Sequence, residues 1–325
     1  VLFPYTPVLG FAERPELMQL AEVAGAHGIE ALVILSALCL SNAVTAPSLA
    51  VRLRQAAIGF AIPLFVFLYG SWRMQAMDAA AEGAPTLRIG IVQPNVPVGR
   101  LPAAIKMDRL QRPSARAQRL GAELVIWPEA AIPNYYHRAR DFLNPIAAQA
   151  ADRGTTLLTG IPHLSADGDG YHNSIVALGT GSGHYHKQRL VPFGEYVPLE
   201  GVLRGLIAFF DLPMSNFSQG PGNQALLLAD GISIAPFICY EIVYPGLVRT
   251  QGGSADLLVT ISNDSWFGSS IGPLQHLEMA RMRALENGRY LLRGTNNGVS
   301  AIINHRGHVQ QQTPQFVAKI GRAHV

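Results

Sequence analysis

A chain of 325 residues has room for one large domain plus something smaller, and 49% hydrophobic against 14% charged residues is too apolar for an ordinary soluble enzyme. The net charge of +3 comes from scattered arginines rather than a basic run, which argues against a nucleic-acid partner. Two cysteines, Cys39 and Cys239, lie far apart in unlike contexts, so a disulfide framework is not expected.

Residues 1–20 are rich in Pro and aromatics without a sustained period, and no charged region precedes an apolar core. They read neither as a signal peptide nor as a natural start, and residues 1–22 are expected to be a loop outside the cytoplasm. Residues 31–51 carry no charged side chain, which is about the length of a bilayer-spanning helix. A second uncharged run, residues 55–72 (QAAIGFAIPLFVFLYGSW), ends in Tyr69 and Trp72 like an interfacial aromatic belt. With VRLR at 51–54 as the turn, residues 23–73 form a transmembrane hairpin, against the competing reading of two buried core helices. Arg52 and Arg54 put that turn in the cytoplasm and the rest of the chain outside it, although Arg73 dilutes the asymmetry.

Residues 74–86 read as a linker, after which strands alternate with helices. Strands are expected at 87–93, 123–127, 156–161, 173–178, 184–187, 232–239, 257–262, 290–295 and 300–303, and helices at 108–120, 142–153 and 273–287. Residues 87–319 thus form a layered α/β or α+β domain large enough to bury its own core.

Three strand ends carry reactive groups. The apolar run IAPFI stops at Cys239, with Tyr240 and Glu241 next, as when a strand delivers a nucleophile to the rim of a sheet; the bland alternative is a buried core thiol. Trp127-Pro128-Glu129 presents a carboxylate, and Lys187 closes a strand ahead of Glu195. Singly these are ordinary rim or surface residues; together they have a chemical logic. A cysteine attacks an acyl carbon only as thiolate. Glu129 can take its proton, and Lys187, with a backbone N–H beside the nucleophile, can stabilise the charge that develops on the carbonyl oxygen.

WPEA around Glu129, KQRLVPFGEYVP at 187–198 and ICYEI around Cys239 resemble the Glu-Lys-Cys constellation of the nitrilase (carbon–nitrogen hydrolase) superfamily. Within it, FFDLPMSNFSQGP at 209–221, TISNDSWFG at 260–268, the stretch 271–298 and the hairpin resemble the apolipoprotein N-acyltransferases. The resemblance implies a nitrilase-type αββα sandwich preceded by a transmembrane helical hairpin, in the bacterial inner membrane with the catalytic domain on the periplasmic side. It implies an acyltransferase that takes a fatty acyl chain from a phospholipid as a cysteine thioester and passes it to the N-terminal amine of a diacylated apolipoprotein. Carried over, Cys239 is the nucleophile, Glu129 the general base, Lys187 the oxyanion stabiliser, and Glu195, Tyr240 and Glu241 supporting positions. No cofactor and no metal are expected. Lys106-Met107 stands where relatives usually carry Lys-Trp, and the earlier and closing transmembrane helices are missing, as in a fragment.

Residues 201–217 (GVLRGLIAFFDLPMSNF), with Phe209 and Phe210, suit either an arm dipping into lipid or packing on the core. His184 and His186 share a strand face, but no third metal ligand stands out. GTGSG at 179–183 is a hairpin loop rather than a phosphate cradle. Arg281, Arg283 and Glu286 read as a salt-bridged helix face. Residues 320–325 (IGRAHV) resemble a translated adapter and are set outside the fold. Two rivals remain: a membrane-tethered amidase or nitrilase in which water resolves the thioester of a small amide, and an inactive fragment that only binds lipid.

Overall fold

In the computed structural model the described residues are 6–97, 101–165, 168, 170–192, 194–196 and 217–325. Two helices open the architecture, α1 (Ala21–Thr45) and α2 (Leu49–Ala81). They turn at 46–48, not at 51–54: Ala46 precedes Pro47 and is extended, Ser48 is extended as the N-cap, and Arg52 already lies in the first turns of α2. Helix α2 also runs through residues 74–81, read from sequence as linker, because that stretch holds no Gly or Pro to stop it before Gly83. Both helices are long and apolar enough to cross a membrane, and they bury only 17% and 11% of their most apolar windows. Phe60, Leu64 and Phe65 are each more than half exposed, so α2 is not a core helix of the described residues.

Residues 6–20, ahead of the hairpin, are not a free loop. The turns Pro7–Phe11 and Pro15–Met18 place Val8, Leu9 and Met18 in the apolar layer of the following domain. Arg281 reaches back to the Ala12 carbonyl at 2.6 Å and to Glu13 at 2.7 Å. Arg283 pairs with Glu286 at 2.8 Å. The expected salt-bridged face exists, but Arg281 and Arg283 are buried rather than surface charges.

From residue 88 the chain forms two six-stranded sheets. The first has the order β12-β1-β2-β3-β4-β5, with β1 Arg88–Gln93, β2 Leu124–Ile126, β3 Thr156–Leu164, β4 Tyr171–Gly179, β5 His184–His186 and β12 Lys319–His324. The second has the order β11-β10-β9-β8-β7-β6, with β6 Leu227–Ala229, β7 Ile232–Ile238, β8 Leu257–Ser262, β9 Tyr290–Thr295, β10 Ala301–Ile303 and β11 Val309–Gln312. The central strands β1–β2–β3 and β7–β8–β9 pair in parallel. Their near-continuous apolar sequences follow from burial on both faces. Ile89, Ile91, Leu124, Ile126, Ile234, Ile238, Val259 and Ile261 fill the space between the sheets. Val92, Val125 and Leu157 pack outward with Leu110 of α3 (Ala103–Arg119) and Leu143 of α4 (Arg140–Asp152). Ala235, Phe237 and Leu258 pack outward with Val248 of α5 (Pro245–Gly252) and Leu277 and Ala280 of α6 (Gly272–Asn287). The result is the expected αββα sandwich, with α6 also meeting α1 of the hairpin.

Residues 320–325, set outside the fold on sequence, pair instead in register with β1, from Arg88 against His324 to Gln93 against Lys319. The edge of β1 is otherwise unpaired, and Lys-Ile-Gly-Arg-Ala-His can extend without Pro or a charge run to prevent it.

Candidate active site

The three reactive groups arrive from both sheets. Beyond β2, Trp127 is fully buried and donates to Ser114 Oγ at 2.7 Å, and the chain then turns through Pro128 to Glu129. Gly160 of β3 makes room for this turn: a Cβ there would lie 2.6 Å from the Pro128 carbonyl and 2.7 Å from the Glu129 Cα. Glu129 accepts from Asn173 Nδ2 at 2.7 Å and from the Asn263 N–H at 2.8 Å, and it lies 3.7 Å from Lys187 Nζ.

Lys187 follows β5, is 1% exposed, and donates to Glu195 Oε1 at 2.8 Å. Glu195 is held in turn by Asn173 Nδ2 at 3.2 Å and the Val191 N–H at 2.8 Å. Burial pushes the Lys187 pKa down, but Glu195 and Glu129 together push it up further, so the group stays an ammonium. Burial raises the Glu129 pKa, Lys187 opposes this and Glu195 reinforces it; the net shift is upward. A carboxylate so raised is a better proton acceptor than an ordinary one.

Cys239 begins the turn Cys239–Val243 at the end of β7 with φ 53°, the left-handed region in a residue that carries a side chain. Burial and the charge of Glu129 raise its pKa well above an ordinary thiol, with Lys187 opposing, so the resting group is a neutral thiol that needs a base. Glu241 is fully buried and ties the two sheets together: it accepts from Ile238 N–H at 2.8 Å, Gln188 N–H at 2.5 Å, Arg189 N–H at 3.0 Å and Tyr185 Oη at 3.0 Å. Burial raises its pKa to about 7. These contacts join the residues that follow Lys187 to the turn that begins at Cys239. Tyr240 is half-buried, with its ring edge-on to Tyr244 at 5.4 Å.

A pocket of about 220 Å³ opens onto Glu129, lined also by Pro94, Val96, Lys106, Asn263, Trp266 and Asn296. Lys106 lines it, while Met107 packs against the layer under α3. Phe209 and Phe210, read as a lipid-facing arm, lie outside the described residues.

Sequence reasoning missed Asn173, which bridges both carboxylates; an Asn inside an apolar strand, where that residue is depleted, was its signal. It also missed the company of His184 and His186. His163 and His172 join them, with ring centroids 5.1 and 4.5 Å from His186. Burial and these three neighbours lower the His186 pKa to about 3. Among the described residues no group of three or more His, Cys, Asp or Glu side chains is arranged to hold a metal ion.

A family profile described as carbon-nitrogen hydrolase matches residues 88–325. An apolipoprotein N-acyltransferase of Pseudomonas syringae pv. tomato is 56% identical over 198 residues, covering 60% of this chain and 39% of that protein. Its counterpart in Azotobacter vinelandii is 51% identical over 243 residues, covering 73% of this chain and 47% of that protein. The chain spans less than half the length of these curated relatives. Among solved structures, a carbon-nitrogen hydrolase from Helicobacter pylori G27 superposes with a TM-score of 0.56 at 16% identity, over 74% of this chain and 88% of that one. At that identity the likeness speaks for the fold.

Proposed function

The chain belongs to the carbon–nitrogen hydrolase family, and from that premise we propose that it carries the catalytic domain of a membrane acyltransferase that moves a fatty acyl chain from a phospholipid to the N-terminal amine of a diacylglyceryl-cysteine lipoprotein. The observation that carries this reading is the buried Glu129–Lys187 pair, 3.7 Å apart, beside a cysteine in a strained turn, on a domain joined to two bilayer-length apolar helices. Relatives that bear the name apolipoprotein N-acyltransferase support it.

In the first half-reaction Glu129 takes the Cys239 proton and the sulfur attacks the ester carbonyl carbon. The oxyanion forms against Lys187 and the N–H beside the nucleophile. Collapse expels the lysophospholipid oxygen, which recovers the proton from Glu129, and leaves a thioester. In the second half-reaction the lipoprotein's α-amine attacks the thioester and gives its proton to Glu129. Collapse releases the amide, and the sulfur is reprotonated. Glu195 and Glu241 act by holding Lys187 and the nucleophile turn. Arg52 and Arg54 sit at the turn end of the hairpin and the domain joins the other end, which supports a cytoplasmic turn and a domain on the periplasmic side of the bacterial inner membrane.

The test is intact-mass spectrometry of the detergent-solubilised chain after incubation with phosphatidylethanolamine, beside Cys239→Ala, with circular dichroism to confirm folding. An acyl adduct on the first protein that hydroxylamine removes, absent from the second, is the expected result. No adduct on a folded protein, together with hydrolysis of a small amide, would replace the acyltransferase by an amidase.

A further inference from the structure

Cys239 occupies a strained backbone conformation that persists only when its surroundings impose it. Two buried groups do so, one on each side of the residue. Before it, Glu241 accepts the Ile238 N–H at 2.8 Å. After it, the Cys239 carbonyl oxygen lies 3.0 Å from Nε2 of His276, which α6 delivers into the core.

The protonation of His276 can be read from its partners. A carbonyl only accepts, so Nε2 carries the proton and donates to it. The other ring nitrogen, Nδ1, lies 3.1 Å from Arg293 Nη2, which only donates, so Nδ1 is the acceptor. Arg293 Nη2 also donates to Asp264 Oδ2 at 2.7 Å. The Asp264 Oδ1 to Nδ1 approach is longer, at 3.4 Å, as fits two acceptors. Burial, with the Arg293 charge, holds the His276 pKa below its ordinary value, in keeping with a neutral ring.

The peptide that follows Cys239 is trans, so its C=O and the Tyr240 N–H point in opposite directions. A histidine that grips the carbonyl toward α6 therefore turns the N–H the other way. We propose that His276 is a positioning residue for acyl transfer: it fixes the 239–240 peptide plane so that the Tyr240 N–H, with Lys187, forms the oxyanion site. This rests on the acyl-transfer reading of Cys239. It adds a residue with no contact to the acyl group and an expected effect confined to steps that develop an oxyanion.

The experiment uses the whole chain in detergent with two probes of Cys239. Acylation by 4-nitrophenyl acetate passes through a tetrahedral oxyanion, whereas alkylation by iodoacetamide is displacement at a saturated carbon and develops none. His276→Asn keeps an amide oxygen for Arg293 but is too short to reach the Cys239 carbonyl; His276→Gln places an amide N–H near the position of Nε2. His276→Asn is expected to slow acylation roughly 100-fold, the scale of a lost oxyanion donor, with alkylation within about threefold of the parent. His276→Gln is expected to regain most of the acylation rate. Equal losses in both reactions, parent-like acylation by the Asn variant, a Gln variant no better than Asn, or failure of the Asn variant to fold would each overturn the assignment. A parent protein that reacts with the ester but not with phosphatidylethanolamine fails the phospholipid reading alone.

Discussion

The hairpin and the sandwich solve opposite problems with similar apolar content. In α1 and α2 most of the large side chains are exposed, and ion pairs join the helices at the domain end, where Glu22 pairs with Arg73 at 2.7 Å and Asp78 with Arg306 at 2.9 Å. In the sandwich the apolar side chains are hidden, and so are Glu129, Lys187, Glu195, Glu241, Asp264, His276 and Arg293. An apolar surface as large as the hairpin's calls for an apolar partner. Charges buried as deeply as the sandwich's need each other: removing one partner strands the rest, which is why the reactive groups come as a network.

The largest break in this contrast is Lys187→Met. It removes the cation between two buried carboxylates, so acylation should fall about 10²–10³-fold, and the melting temperature should drop with a loss of about 3–5 kcal/mol. Ester acylation and thermal denaturation measure the two effects; a folded variant of parental stability would mean that the carboxylates are already protonated.

The pH profile comes next. In its proposed role as base Glu129 must be ionised, and its pKa is raised, so acylation should decline as pH falls, with a midpoint above an ordinary carboxylate's, by up to roughly tenfold per pH unit below it. Glu129→Gln should abolish that limb along with most of the rate; an unchanged limb would assign it to another group.

Gly160→Ala probes the packing beneath Glu129. A Cβ 2.6 Å from the Pro128 carbonyl must displace the turn, at a cost of about 1–3 kcal/mol, with acylation falling more than alkylation of Cys239. The smallest effects separate neighbours on α2. Phe65→Ser, at a side chain 58% exposed, should leave the melting temperature of the detergent-solubilised protein nearly unchanged, whereas Val66→Ser, at 6%, should lower it by about 1–3 kcal/mol of stability. Equal losses at both positions would mean that the hairpin buries both faces.

Much of the fold was legible because its central strands and outer helices announce themselves locally. Leu257–Ser262 and Tyr290–Thr295 occupy the residues expected of them; Glu129 and Cys239 were visible because each stands where an apolar run stops, and Lys187 because it closes an expected strand. The short strands β6, β11 and β12 were not, since three to six residues at a sheet edge need no distinctive pattern and take their conformation from a partner. The turn at 46–48 was obscured because apolar composition continues through it, leaving Pro47 as the only break.

What the sequence by itself determined is therefore a layered α/β or α+β domain, the apolar hairpin and the reactive residue types at strand ends, which follow from the period and length of apolar runs; the αββα arrangement was implied by the resemblance of its motifs to a known family. The tertiary structure alone decided which groups meet. Asn263 reaches Glu129 across 134 residues, Glu241 reaches the Gln188 N–H across 53, and His276 reaches the Cys239 carbonyl across 37. Such contacts leave no local periodicity, because they arise only where two sheets bring distant strand ends to one rim and burial obliges each polar group to find a partner there.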